Sequence, residues 1–304
     1  MDGSELRKIL PASSVQENVP LGPLTTFRAG GPARFFVTPE DAEAFSLLVR
    51  FLEERHEPFF VLGRGSNLLV SDKGYEGTVI YTRKTLNLIE KTADGLGFAA
   101  ECGALLQDLS LAAQASGLSG LAFAHGIPGT VGGAVLMNAG AYGSEIRDVI
   151  KSASILGRDG RIRSFSRDEL ELGYRHSAIS DGSGFVISAA FALKEGDPQE
   201  IRSEMNELMR RRKEKQPLEY ASAGSTFKRP EGYYAGALIQ EAGLKGTLHV
   251  GDAWVSEKHA GFVVNKGHAS ASEIYEVIRM AQDAVYRHSG VLLEPEVRFL
   301  GEFG

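Results

Sequence analysis

Ser225 stands in Ala223-Gly224-Ser225-Thr226-Phe227-Lys228-Arg229, after a glycine, before an aromatic pair-mate, and with two cations within four residues. A hydroxyl is a very weak acid, so a catalytic serine here would give its proton only to a strongly basic partner such as a carbanion or enolate, with the cations lowering its pKa. The surrounding residues do not read Gly-x-Ser-x-Gly, and no His/Asp pattern supplies a hydrolase triad. A serine in such a turn is equally compatible with an N-cap or a loop hydroxyl. Two other polar groups share that ambiguity. Tyr174-Arg175 reads as a surface ion-pair participant or as an anion-binding fork, and Glu294-Pro295-Glu296-Val297-Arg298 reads as an exposed edge or as part of a site. The histidines are scattered and there is one cysteine, so no metal site is expected.

Two glycine-rich runs offer backbone rather than side-chain chemistry. The first is Gly63-Arg64-Gly65-Ser66-Asn67-Leu68. The second is Gly126-Ile127-Pro128-Gly129-Thr130-Val131-Gly132-Gly133-Ala134, followed by Asn138-Ala139-Gly140. Glycines remove Cβ atoms and allow positive φ, so main-chain N–H groups can close around a bulky anionic ligand. No lysine ends either run as in a P-loop, and the usual strand-turn-helix dinucleotide fingerprint is missing. The pair points to one extended ligand gripped from both sides, the shape of a dinucleotide cofactor; a tight structural turn remains the alternative for each run alone.

The elements that must position these residues alternate in type. Strand signals fall at 34–37, 58–62 and 78–81 around a helix from about Glu40, with Phe45, Leu48, Val49 and Leu52 on one face. A helix over 105–116 ends at Gly117, a hairpin turns at Arg158-Asp159-Gly160, and Phe185–Phe191, which includes Val186, reads as a closing strand. Asp197-Pro198-Gln199-Glu200 opens a helix with a cap and a proline in first position. Its far end, Arg210-Arg211-Arg212-Lys213-Glu214-Lys215, reads as a solvated terminus whose cations complement the helix dipole. Beyond Gln216-Pro217 come a helix at 234–239, a strand at 259–264, a helix from Ser270 with Ile274, Val277, Ile278, Ala281 and Val285 as its stripe, and a last strand at 296–300.

Composition narrows the class. The 304 residues are 43% hydrophobic, enough for two or three compact units, and the formal charge of −6 argues against a general nucleic-acid binder. Cys102, in a run of small residues, reads as buried rather than nucleophilic, and a single cysteine fits a reducing compartment. Neither a signal peptide nor an apolar span long enough for a membrane is evident, so a cytoplasmic protein with no membrane partner is expected.

Taken in order, Thr25-Thr26-Phe27-Arg28-Ala29-Gly30-Gly31-Pro32, the two glycine runs, Asn138-Ala139-Gly140-Ala141-Tyr142-Gly143, Tyr174-Arg175, Ala223–Lys228 and Leu293–Val297 resemble the UDP-N-acetylenolpyruvoylglucosamine reductases over about residues 20 to 300. The resemblance implies an α+β chain with the two-subdomain FAD-binding fold of the vanillyl-alcohol-oxidase type and a C-terminal α/β substrate-binding domain. It divides the chain into residues 1–84 and 85–205 as the two FAD subdomains, 206–297 as the substrate domain, and 298–304 as a strand end returning to the FAD region. It implies non-covalent FAD, with Gly63–Leu68, Gly126–Thr130, Gly132–Ala134, Asn138–Gly140 and Val186 around it. NADPH is the implied co-substrate and UDP-N-acetylglucosamine enolpyruvate the implied substrate, in a monomer or weak homo-oligomer.

Carried over by motif, Ser225 donates a proton to the carbanion or enolate left by hydride addition, while Arg175 and Glu296 stabilise it. Glu296 makes sense as a neutral acid donating a hydrogen bond, or as a group orienting Arg175. Tyr174, Lys215 and Arg229 are the implied substrate contacts, with Lys215 meeting a diphosphate or carboxylate. Only 49 residues separate Arg175 from Ser225, which resembles the shorter subtype without the inserted segment that carries a lid tyrosine. Another flavin oxidase on the same cofactor fold would use the loops but leave the serine motif idle, and a non-catalytic nucleotide-binding module would tolerate its loss.

Overall fold

The computed structural model describes residues 2–11 and 14–304, and the chain forms two compact units. The first comprises residues 1–17, 35–64 and 77–212; the second comprises 18–34, 65–76 and 213–304.

In the first unit five antiparallel strands form a sheet in the order Ile162–Ser166, Ile150–Gly157, Gly184–Ala192, Gly97–Glu101, Ile89–Lys91. The expected hairpin turns at Gly160, whose φ of 74° lies where glycine carries no Cβ penalty. Phe59–Leu62 pairs in parallel with Tyr75–Tyr81, and the helix Ala42–Glu54 buries Phe45, Leu48, Val49 and Leu52. That helix begins later than Glu40 because Asp41 is its N-cap, accepting from Ala44 N. The helix over 105–116 is Leu106–Ala115, followed by Gly117 at φ 66°. Residues expected as two subdomains share one core, which runs from Leu6 through Val37 and Phe98 to Leu193.

The helix Pro198–Lys215 starts as expected, with the Asp197 carboxylate accepting from Gln199 N at 2.6 Å. The division into units falls inside it, between Arg212 and Lys213.

The second unit packs the helices Ala235–Glu241 and Ala271–Ser289 on the strands His249–Val250, Ala253–Val255 and Val263–Asn265. Ile274, Val277, Ile278, Ala281 and Val285 are all fully buried, so the expected stripe is the packed face. Ser270 and Glu273 close a capping box at its start, and Gly290 at φ 72° ends it. The strand expected at 259–264 is only Val263–Asn265. His259 and Gly261 form a turn instead, because Ser256 Oγ accepts from Lys258 and His259 N and the His259 ring accepts from Gly261 N. The last strand is Arg298–Leu300, parallel to Leu68–Val70.

Candidate active site

In the first unit Leu62 lies opposite Tyr81, so the parallel strands release Gly63 and Thr82 side by side. The short helix Val131–Leu136 starts beside them. A Cβ on Gly63 would lie 2.4 Å from Thr130 Oγ1, and one on Gly132 would lie 2.9 Å from Cys102 Cβ. Both positions therefore need glycine for close approach. Gly132 N donates to Cys102 O and Val131 N to Ala104 O, each at 2.8 Å, which stitches the glycine run to the end of the strand Gly97–Glu101.

Gly133 differs: a Cβ there would meet only Thr130 Oγ1, at 3.7 Å, and the residue lines an open cleft. Val61, Gly63, Thr82, Cys102, Thr130, Gly132, Gly133, Leu136, Ile179, Gly184, Phe185 and Val186 line it. The Cys102 thiol is pushed up to about 12, chiefly by burial, so it is a packing group and no nucleophile.

The structure thus brings Gly63, Thr130, Gly132, Gly133 and Val186 to one cleft. Val61, Thr82, Ile179, Gly184 and Phe185 join them without having been singled out; the ends of apolar strands are the only signal that marks all but Ile179, which lies in a turn. Other residues of the second run serve the loop itself. Ile127–Gly129 make a tight turn closed by Gly129 N to Ile127 O at 2.9 Å, with Pro128 inside it, and Gly129 O accepts from Leu106 N. Ala134 is buried and its carbonyl accepts from Ala139 N, while a Cβ on Gly140 would lie 2.8 Å from Glu145 Cβ.

The basic helix end proves uneven. Arg210 and Arg211 are exposed and pair with Glu207. Arg212 instead lies against Gly126, whose Cβ would sit 3.2 Å from Arg212 Cδ, and burial lowers the pKa of its guanidinium. Helical spacing was the available signal, since Arg212 follows Met205 by seven residues and Leu208 by four.

Tyr174 and Arg175 are the two central residues of a tight turn. Gly173 N donates to His176 O at 3.1 Å, and His176 N donates back to Gly173 O at 3.2 Å. Arg175 has φ 54°, a left-handed conformation that disfavours a side chain, and its guanidinium lies 5.3 Å over the exposed Tyr174 ring. Asn138, fully buried with φ 41°, donates through Nδ2 to Gly173 O at 3.0 Å and accepts at Oδ1 from Arg147 N at 2.9 Å.

In the second unit Ser225 and Glu296 lie on adjoining segments. Phe227 and Pro295 form an antiparallel bridge, Glu296 N donates to Thr226 O at 2.8 Å, and Lys228 N donates to Glu294 O at 2.9 Å. The Lys228 and Glu294 side chains pair on the same ladder. Thr226 is fully buried, its Oγ1 accepting from Val263 N at 2.9 Å, whereas Ser225 is exposed and its hydroxyl has no hydrogen bond among the described residues. Glu296 is partly buried, with Oε2 out of solvent.

The remaining first-loop residues are built into this unit. Gly65, at φ 62°, has no room for a Cβ beside Leu24 O at 2.7 Å; Leu68 enters the parallel pair; Asn67 Nδ2 donates to Glu296 O at 3.0 Å. Arg64 and Ser66 are partly exposed. Lys215 is exposed, and Arg229 is exposed with its guanidinium 4.0 Å over the Tyr234 ring.

Comparison with known proteins adds a separate line of observation. Residues 216–300 match the family model described as UDP-N-acetylenolpyruvoylglucosamine reductase, C-terminal domain, and residues 33–166 match the FAD binding domain. The chain is 49% identical over 298 residues to the UDP-N-acetylenolpyruvoylglucosamine reductase of Clostridium novyi, covering 98% of this chain and 96% of the relative. It is 50% identical over 304 residues to that of Agathobacter rectalis, covering 97% and 96%. The solved UDP-N-acetylenolpyruvylglucosamine reductase of Thermus caldophilus superposes with a TM-score of 0.80 and 38% identity, over 94% of this chain and 98% of that one. Phl p 4.0202, a glucose dehydrogenase, shares fold alone, at TM-score 0.51 and 15% identity over 64% of this chain and 44% of that one.

Proposed function

The chain belongs to the UDP-N-acetylenolpyruvoylglucosamine reductase family, and from that premise we propose how its own residues divide the work. It is an FAD-dependent oxidoreductase that uses NADPH to reduce UDP-N-acetylglucosamine enolpyruvate in peptidoglycan precursor synthesis. The first-unit cleft suits a flavin: glycines at Gly63 and Gly132 allow close backbone approach, Gly133 leaves an open face, and apolar Val61, Phe185 and Val186 line the wall. Gly63–Leu68, Gly126–Thr130, Gly132–Ala134, Ala139 and Gly140 hold FAD mainly through main chain, with Arg212 beside Gly126 adding positive charge. Residues 206–297 carry the substrate side, and 298–304 return the chain to the first loop through the pairing of Arg298–Leu300 with Leu68–Val70.

The chemistry that FAD supplies when bound is hydride exchange between NADPH and the vinyl carbon of the substrate. Negative charge then accumulates on the neighbouring carbon and its carboxylate. Ser225 Oγ gives that carbon its proton, since an enolate is basic enough to take a proton from a hydroxyl. Arg175 presents a planar two-pronged donor to the carboxylate. Glu296 serves either as a neutral acid donating a hydrogen bond or as a group orienting Arg175, because a bare anion beside an enolate would repel it. Lys215, Arg229 and Tyr174, all exposed, meet the diphosphate and sugar. The observation that carries these roles is the Ser225 hydroxyl, exposed and without a hydrogen-bond partner among the described residues, on a ladder shared with Glu296.

We place the enzyme in the cytoplasm, where NADPH is held, as a monomer or weak homo-oligomer acting on neither nucleic acid nor membrane. Among the described residues no helix is long and apolar enough to cross a membrane.

An anaerobic half-reaction series tests the reading. NADPH should bleach the flavin, and the enolpyruvyl sugar nucleotide should restore its colour rapidly. A flavin reoxidised only by oxygen would overturn the substrate, and a protein that cannot take up FAD would overturn the cofactor.

A further inference from the structure

We propose that Asn138 is a positioning residue for Arg175, its side-chain amide fixing the turn that aims the guanidinium; this rests on the catalytic role of Arg175 given above. Asn138 follows the helix Val131–Leu136 and its cap Met137, in the left-handed conformation that often ends a helix. Glycine would satisfy that backbone, so the amide needs its own reason. Its Nδ2 donates to Gly173 O, the carbonyl that already closes the Tyr174-Arg175 turn by accepting from His176 N.

The other side of the turn returns to the same helix. Ser177, fully buried, donates from Oγ to Leu136 O at 2.8 Å. The helix whose glycines line the cleft therefore grips the turn on both flanks, at Gly173 through Asn138 and at Ser177 through Leu136. Arg175 sits at φ 54°, a conformation held only where the surroundings dictate it. Both amide atoms of Asn138 face protein backbone and the residue has no exposed surface, so its side chain serves the turn and not a bound cofactor.

Two variants separate the contacts. Asn138→Asp keeps an acceptor for Arg147 N and removes the donor to Gly173 O; Asn138→Gly keeps the backbone conformation and removes both. In each, flavin content and bleaching by NADPH should stay within about twofold of the parent, while reoxidation by the enolpyruvyl sugar nucleotide slows about tenfold to a hundredfold, the scale expected for a small misplacement. In an Arg175→Ala background Asn138→Asp should add less than about twofold, since residues acting through one another are not additive. Hydrogen exchange at the Gly173 and His176 amides should rise in both variants, whichever substrate the enzyme uses. Loss of flavin, equal slowing of both half-reactions, a normal Asn138→Asp enzyme, full additivity with Arg175→Ala, or unchanged exchange at the turn would each overturn the inference. A parent enzyme not reoxidised by the sugar nucleotide would overturn the functional reading, and turn exchange would then decide the positioning role alone.

Discussion

Arg175 and Ser225 are held in opposite ways. Arg175 sits on a two-residue turn in an unfavourable backbone conformation, and two contacts with a neighbouring helix end hold it there: Asn138 Nδ2 donates to Gly173 O, and Ser177 Oγ donates to Leu136 O. Ser225 sits at the edge of a backbone ladder, with its neighbour Thr226 buried and bonded to Val263 N, and the hydroxyl itself is left exposed. A long guanidinium that must be aimed needs a constrained base, at a cost in local strain. A short hydroxyl needs only a rigid main chain beneath it. Removing the arginine should therefore alter both activity and stability, and removing the serine hydroxyl should alter activity alone.

The largest effect expected is on the serine side. Ser225→Ala should slow reoxidation of reduced enzyme by the sugar nucleotide by about 10²- to 10⁴-fold, the range for a lost general acid. Flavin bleaching by NADPH and thermal unfolding should stay at parent values, and a change in either would mean that the hydroxyl also supports the fold. Arg175→Gly should slow the same step by about 10²- to 10³-fold, as when a charge-stabilising donor is lost. It should also raise stability by about 1 kcal/mol, because glycine tolerates the left-handed φ. A lowered melting temperature in that variant would break the contrast.

Thr226→Val probes the ladder directly. It removes the acceptor for Val263 N inside a fully buried site, so denaturant unfolding should show a loss of about 1–3 kcal/mol. Proton transfer should slow in parallel as Ser225 loses its base.

The smallest effect lies farther off, where Asp72 accepts from Ala271 N, Ser272 N and Ser272 Oγ at the start of the long helix. Burial opposes its ionisation, but those hydrogen bonds outweigh it and hold the carboxyl below its ordinary 3.8. A depressed carboxyl contributes stability above its unfolded pKa, and that contribution disappears as pH falls through the lower folded value. Asp72→Asn should cost about 0.3–1 kcal/mol near neutrality and flatten the acid side of the stability profile, read by thermal unfolding from pH 7 down to about pH 3.

Much of the glycine-lined cleft was legible because its signals are local. Glycine is needed wherever another backbone or side chain comes within van der Waals distance, so Gly63 against Thr130 and Gly132 against Cys102 are written in the sequence as glycines. The stripe Ile274, Val277, Ile278, Ala281, Val285 likewise follows from helical period. The asparagines were harder. Asn67 and Asn138 sit in glycine-rich runs and look like ligand contacts, yet their amides donate to Glu296 O and Gly173 O, far along the chain. Arg212 hid in a run of cations, three residues alike in charge and different in burial.

By itself the sequence determined which residues could do chemistry, the close-packing glycines of the two glycine-rich runs, and the order of helices and strands. These depend on residue type, Cβ absence and short-range period. The tertiary structure alone decided that residues 18–34 and 65–76 join the second compact unit, that Arg175 bears a left-handed backbone, and that the side-chain amides of Asn67 and Asn138 hold the carbonyls of Glu296 and Gly173. A side-chain amide can satisfy any carbonyl in reach, and which carbonyl is in reach is fixed only when distant segments pack.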